Sequence, residues 1–192
     1  MDYAIKNELL SVFYRANRDF LIKDEINIIR DVSERSLCAS LKSQLEKHLE
    51  NTLFRDYYVD TEYNRNGDKI KAVLTERGTS REAKVTVVCD LIVHSRGEKP
   101  KDNLIAIEMK KRGSDLEKIK SDADRLMALT NKQSNNFHWE GSIDLETVSD
   151  YELGILYIID RKLREIELRF FSDGIEVGKT TYSFEYYKSF NN

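Results

Sequence analysis

Two apolar stretches near the middle of the chain, VTVVCDLIVH (Val85 to His94) and NLIAIEMKK (Asn103 to Lys111), constrain its fold more than any other feature. Each has the length and the β-branched content of a buried strand. Each also carries an acid where such a strand wants none. Asp90 interrupts the first run, and Glu108 and Lys110 close the second. An ionised carboxylate in that setting is costly unless a cation or a set of hydrogen bonds meets it. The connection RGEKPKDN (Arg96 to Asn103) is short enough to make the two strands antiparallel neighbours, which would bring the two acids together.

With 192 residues, 40% hydrophobic and 34% charged, the chain suffices for one domain with a real core. The expectation is a single unit over 1–192, with N-terminal helices at about 3–51, a core at about 57–160 and a C-terminal hairpin at about 164–180. The apolar run from Leu153 to Ile159 is too short to span a bilayer, and MDYAIKNELL is not a signal peptide, so a soluble, cytoplasmic chain without a membrane partner is expected. Cys38 and Cys89 form no CxxC or Cys/His cluster, which argues for buried thiols and against a disulfide framework or structural zinc. The net charge of −3 gives no global basic field. There is a local one: Lys110, Lys111, Arg112, Lys118, Lys120 and Arg125, which reads equally well as a solvated helix face.

The first third predicts two helices, from about Tyr3 to Asn17 and from about Ser33 to Asn51, the second with Leu37, Leu41, Leu45 and Leu49 at spacing four. YYVDTEYNRNGDKIKAVL then alternates and turns at Asn66-Gly67, a hairpin signal. After the two acid-bearing strands, SDLE (Ser114 to Glu117) reads as a capping box for a helix with Leu116, Ile119, Ala123, Leu126 and Met127 on its apolar stripe. The strand GILYIID that follows should lie parallel to the Glu108 strand across this helical crossover. REIELRFF and FSDGIEV give a final hairpin. The fold class is therefore α/β: an antiparallel meander plus one parallel strand in a mixed sheet, flanked by helices.

Strand alternation puts Glu108 and Lys110 on one face and Ile107 and Met109 on the other. With Asp90 on the neighbouring strand, two carboxylates make the kind of hard oxygen site that Mg²⁺ prefers, and an ammonium stands beside it. That arrangement suits phosphodiester hydrolysis. Acid-x-Lys also occurs at Glu82-Ala83-Lys84, in what reads as a polar turn, and at Asp160-Arg161-Lys162, whose upstream acid Asp150 starts the same strand. Only Asp90, Glu108 and Lys110 meet the two-strand requirement; the bland alternative is a structural Glu108–Lys110 ion pair. Glu34 shares a helix face with Cys38, Leu41, Leu45 and His48, all within about 40° at 100° per residue, so it should project toward the sheet unless it serves a capping box begun by Asp31. Glu62 could face the same cleft or pair with Lys69 or Lys71. His94 and Arg96 could contact phosphate or be solvated strand-end residues, and Phe137, Trp139 and Tyr151 could stack bases or belong to the core. His48, His94 and His138 are too scattered for zinc chemistry, and no GxGxxG, GxxxxGK[ST] or GxSxG supports a small-molecule α/β enzyme.

Asp90 followed on the next strand by Glu108-Met109-Lys110, between a hairpin and a helix-strand unit, resembles the PD-(D/E)XK, or restriction-endonuclease-like, nuclease superfamily over roughly Ser33 to Asp160. EYNR (Glu62 to Arg65), CDLIVHSRG, NLIAIEMKK and DADRL (Asp122 to Leu126) are similar to a bacterial branch of nuclease-like proteins. Cys89 stands where the family usually has proline. The resemblance implies a metal-dependent nuclease with Asp90, Glu108, Lys110 and Glu34 as catalytic residues. It implies Mg²⁺, with Mn²⁺ as a substitute, held by Asp90, Glu108, Glu34 and the Met109 carbonyl. Lys111, Arg112, His94 and Arg96 become the expected nucleic-acid contacts, with DNA favoured over RNA. Small members work as homodimers or within larger complexes. The alternative is a catalytically inactive module of the same fold that binds nucleic acid or a partner protein.

Overall fold

The computed structural model describes residues 2–62, 65–66, 69–77, 81–86, 89–132, 145–147 and 149–189. Two helices come first, α1 (Asp2–Ile29) and α2 (Glu34–Leu49). The first runs well past the predicted end at Asn17. Its inner face, Leu9, Val12, Phe13, Ala16, Phe20, Leu21 and Ile28, is buried at helical spacing, but Ile22, Ile26 and Ile29 stand exposed on the far side and blur that period in the sequence. In α2, Leu37, Leu41, Leu45 and Leu49 are all buried as expected.

The main sheet has the order β1-β5-β6-β8-β9-β10, formed by β1 (Tyr58–Thr61), β5 (Leu91–His94), β6 (Asn103–Lys111), β8 (Leu153–Asp160), β9 (Glu165–Ser172) and β10 (Ile175–Ser183). Among the described residues of this sheet only β6 and β8 pair in parallel, with Glu108 opposite Leu156, and α3 (Leu116–Thr130) makes the crossover between them. Every other pair in this sheet is antiparallel, and β9–β10 is the expected C-terminal hairpin.

The meander departs from the expectation. Arg65–Asn66 (β2), Lys69–Arg77 (β3) and Arg81–Thr86 (β4) form a second sheet, joined by Leu145–Thr147 (β7) in parallel with β3. Asn66 does pair with Lys69 in an antiparallel hairpin, though Gly67 of the turn lies outside the described residues. The run read as one strand from Val85 to Val93 is two: β4 serves the second sheet, and β5 begins in the main one only at Leu91. Glu82 and Lys84 accordingly sit on β4 rather than in a turn.

Each face of the main sheet buries one core. Leu91, Val93, Ile105, Ile107, Met109, Ile155 and Tyr157 pack with α1 and α2. Ile92, Ala106, Leu156 and Ile158 pack with Ala123, Leu126 and Leu129 of α3. The Tyr157 hydroxyl donates to Asn17 Oδ1 at 2.5 Å, and its ring makes edge contacts with Phe13 and Phe20, which ties α1 to β8. The cap of α3 is Asp115, accepting from the Glu117 amide, not Ser114, whose hydroxyl donates to the Lys111 carbonyl. Leu116 is exposed at the rim instead of joining the stripe. Among the described residues no helix is long and apolar enough to cross a membrane.

Gly154 sets how closely α3 approaches β8. A Cβ there would lie 3.1 Å from Phe171 Cβ and from Thr130 Cγ2, and 3.4 Å from Leu126 Cβ. Gly154→Ala should therefore lower unfolding free energy by roughly 1–3 kcal/mol in a denaturant titration, as overpacking does. An unchanged midpoint would show that α3 shifts freely on the sheet.

Candidate functional site

The site is built where β5 stops short of the end of β6. Leu91 opposite Ile107 is the last pair of that ladder. Alternate residues of a strand send their N–H and C=O to the same side, so Met109 and Lys111 point theirs toward a neighbour that is no longer there. Buried backbone groups of this kind must find other partners. Side chains supply them. The Met109 amide donates to Asp90 Oδ2 at 2.8 Å, the Met109 carbonyl accepts from Lys110 Nζ at 3.1 Å, and the Lys111 amide donates to Glu34 Oε1 at 3.0 Å.

Asp90 thus acts from a bend just before β5, not from within a strand. Its carboxylate replaces the ladder partner that Met109 would otherwise have. Glu34 reaches the same strand edge from the first turn of α2, whose cap is Ser33, accepting from the Ser36 amide at 3.2 Å. A capping role begun by Asp31 is ruled out by this geometry, since Glu34 bonds to an amide of β6 and not of its own helix. The Met109 and Lys111 amides, two residues apart, are separated by roughly 7 Å along the strand at ~3.3 Å per residue, so Asp90 and Glu34 flank the Met109 carbonyl.

Glu108 and Lys110 lie on the opposite face from Met109, toward α3. There they meet Asp122 and Arg125, crosswise. Arg125 Nη1 lies 2.5 Å from Glu108 Oε1 and 3.3 Å from Asp122 Oδ1, while Lys110 Nζ lies 3.1 Å from Asp122 Oδ2 and 3.7 Å from Asp90 Oδ2. Glu108 is 1% exposed. Burial pushes its carboxyl up to about 8, aided by Asp90 and Asp122, and the Arg125 guanidinium only partly offsets this. For Lys110, burial works toward the neutral amine, but Asp90 and Asp122 outweigh it and hold the pKa above the usual lysine value. The group is therefore an ammonium, a donor of hydrogen bonds and positive charge rather than a base.

Asp122 and Arg125 were legible in the sequence only as part of DADRL and of a basic patch. The signal that identifies them is the one that exposed Asp90 and Glu108: charged residues set within an apolar stripe, here Ala123, Leu126 and Leu129 of α3.

The four expected nucleic-acid contacts are all engaged by carboxylates of the chain. His94, 1% exposed, has Nε2 3.0 Å from Asp60 Oδ2, and Arg96 donates to both oxygens of the same carboxylate at 2.8 and 2.7 Å. Burial alone would raise the Asp60 pKa, but these hydrogen bonds bring it down to about 2. Lys111 Nζ lies 2.8 Å from Asp31 Oδ1, and Arg112 lies 2.8 Å from Glu167 Oε2. A cleft of about 300 Å³ opens beside Glu34, walled by Asp31, Lys111, Arg112, Ser114 and Arg161.

Of the weaker candidates, Glu62 pairs with Arg35 at 2.7 Å, and the side chains of Lys69 and Lys71 lie outside what is described. Tyr151 is core, and Phe137, His138 and Trp139 lie outside the described residues. Asp160 accepts from the Lys162 and Leu163 amides and so closes the β8–β9 turn. Cys38 and Cys89 are buried thiols outside any disulfide, with Cys38 Sγ against Met109 Sδ at 3.7 Å.

As a donor set, Asp90, Glu108, Glu34 and the Met109 carbonyl are all hard oxygens, the type that fits Mg²⁺ or Mn²⁺ and not zinc. Among the described residues no three His, Cys, Asp or Glu side chains are gathered closely enough to hold a metal ion. Lys110 and Arg125 instead supply positive charge to these oxygens. No family model, no curated protein and no solved structure matches the chain.

The burial of Glu108 has a pH signature. Between its ordinary value of 4.5 and about 8 the folded chain keeps a proton that the unfolded chain has released, so rising pH costs stability across that window. Thermal unfolding without divalent cations should show wild type losing ground to Glu108→Gln from pH 5 to pH 8. Parallel profiles would show that Glu108 is ionised throughout.

Proposed function

We propose that the chain is a divalent-cation-dependent nuclease of the PD-(D/E)XK type, built on a restriction-endonuclease-like core and hydrolysing phosphodiester bonds of nucleic acid, DNA before RNA. One observation carries this reading: the backbone of Met109, on the strand that also bears Glu108, leaves the ladder, and its N–H and C=O are held by Asp90, from the bend before β5, and by Lys110. A purely structural Glu108–Lys110 ion pair would not need this geometry, and each of the two residues has a different principal partner.

Asp90, Glu108 and the Met109 carbonyl would hold the cation, with Glu34 bordering it from α2. When bound, the cation supplies Lewis-acid stabilisation of the charge that develops on the phosphoryl oxygens. The residues of the chain do the rest. Lys110, an ammonium beside the Met109 carbonyl, orients the attacking water by donating to it and adds positive charge close to the reacting phosphate. The cleft beside Glu34 offers a passage for the strand, and Lys111 and Arg112 in its wall would exchange their carboxylate partners for phosphate. The cluster of buried His94 and Asp60 with Arg96 fixes β1 to β5 and is left out of the substrate contacts.

A second reading, a nucleic-acid-binding module that does not cut, draws on the cations already paired with the site carboxylates. Cleavage of linear, circular and single-stranded DNA and of RNA with Mg²⁺ or Mn²⁺ separates the two. The nuclease reading predicts cation-dependent cleavage, a loss of about 10²–10³-fold in kcat for Lys110→Ala, as for removal of one preorganised donor, and no cleavage for Asp90→Asn. Retained nucleic-acid binding with no cleavage by the wild type under any cation would establish the second reading. Equal cleavage by wild type and both variants would trace the activity to a contaminant.

A further inference from the structure

We propose that Arg125 is a built-in counterion, holding Glu108 while no divalent cation is present and yielding it when one arrives, so that filling the site exchanges one cation for another. The inference rests on the nuclease reading and concerns how its site is kept.

Three observations carry it. Glu108 is 1% exposed, and a buried carboxylate left without a cation is strongly destabilising, so the folded chain needs a positive charge beside Glu108 whenever it is ionised. The adjacent Lys110 does not supply it: its nitrogen is committed to the Met109 carbonyl and to Asp122. Arg125 does, and through one nitrogen, which also lies 3.3 Å from Asp122 Oδ1. The guanidinium therefore has a second carboxylate within reach, on its own helix, when it releases the first. One nitrogen bridging two carboxylates can keep the Asp122 contact as it gives up the Glu108 one, which is what such an exchange requires.

The charge balance points the same way. When all are ionised, Glu34, Asp90, Glu108 and Asp122 bring four negative charges to the end of β6 against the two positive ones of Lys110 and Arg125, Lys111 and Arg112 being paired with Asp31 and Glu167. The remaining two negative charges match one divalent cation. Arg125 on Glu108 lets the chain fold and persist before that cation is bound, at the expense of affinity for it, because the ion must displace an existing partner.

Mn²⁺ titrations followed by electron paramagnetic resonance, on the full chain as wild type, Arg125→Met, Glu108→Gln and the double variant, test this as a mutant cycle. Arg125→Met should bind Mn²⁺ roughly tenfold tighter or more. That gain should vanish when Glu108 is already Gln. Saturating Mn²⁺ should also raise the thermal midpoint of Arg125→Met more than that of wild type, since the variant lacks its counterion until the metal binds. If Arg125→Met does not fold without metal, Arg125→Lys, which keeps the charge but not the bridging nitrogen, should give a smaller gain with the same dependence on Glu108. An equal gain in both backgrounds would mean that Arg125 acts only through its long-range field, and no gain would mean that it stays on Glu108; either overturns the exchange. Asp90→Asn is the control that separates the two levels. Mn²⁺ binding that Asp90→Asn leaves unchanged, or none in the wild type, removes the nuclease reading and the exchange with it. Asp90-dependent binding with an additive cycle removes the exchange alone.

Discussion

The interaction on which the site depends is the hydrogen bond from the Met109 amide to Asp90. The ladder between β5 and β6 ends at Leu91 and Ile107, yet β6 continues to Lys111. Without side chains to meet them, the Met109 N–H and C=O and the Lys111 N–H would have no partner on that side, at a cost of about 1–3 kcal/mol for each buried group. Asp90 and Glu34 remove that penalty, and Lys110 satisfies the carbonyl between them. The early end of one strand thus creates both the requirement for acids at the strand edge and the place where they gather.

From there the electrostatics follow. Strand β6 is covered by α1 and α2 on one face and by α3 on the other, so charges at its end sit at low dielectric and must be compensated locally. Helix α2 delivers Glu34 to the edge, and α3 delivers Asp122 and Arg125 to the far face. The Asp60, His94 and Arg96 cluster at the outer side of β5 obeys the same rule without the same outcome. There one carboxylate accepts two hydrogen bonds from Arg96 and lies 3.0 Å from His94 Nε2, with Lys42 3.9 Å away. Buried charge alone does not mark a functional site; buried charge beside an interrupted ladder is the more telling pattern.

Much of this was legible in the sequence because the signals were local. The crossover strand-helix-strand order, the β9–β10 hairpin, the leucine spacing of α2 and the shared face of Glu108 and Lys110 all follow from periods of 2 and 3.6 residues. The division of Val85 to Val93 between two sheets was not, since an uninterrupted apolar run carries no mark of where the chain leaves one sheet for another. The full length of α1 was hidden by Ile22, Ile26 and Ile29, exposed apolar residues that oppose the buried stripe. Partner choice was hidden too. Spacing shows that Lys111, Arg112, His94 and Arg96 are placed near the acid-bearing strands, but which carboxylates hold them, Asp31, Glu167 or Asp60, depends on contacts from distant elements.

A crystal grown or soaked with Mn²⁺, with anomalous scattering recorded at the manganese edge, tests the central claim most directly. The account predicts one ion bounded by Asp90, Glu108 and the Met109 carbonyl, with metal–oxygen distances of about 2.1 Å, as for a hard octahedral cation. Saturating Mn²⁺ with no density there, and with Lys110 and Arg125 still seated on the site carboxylates, would contradict it.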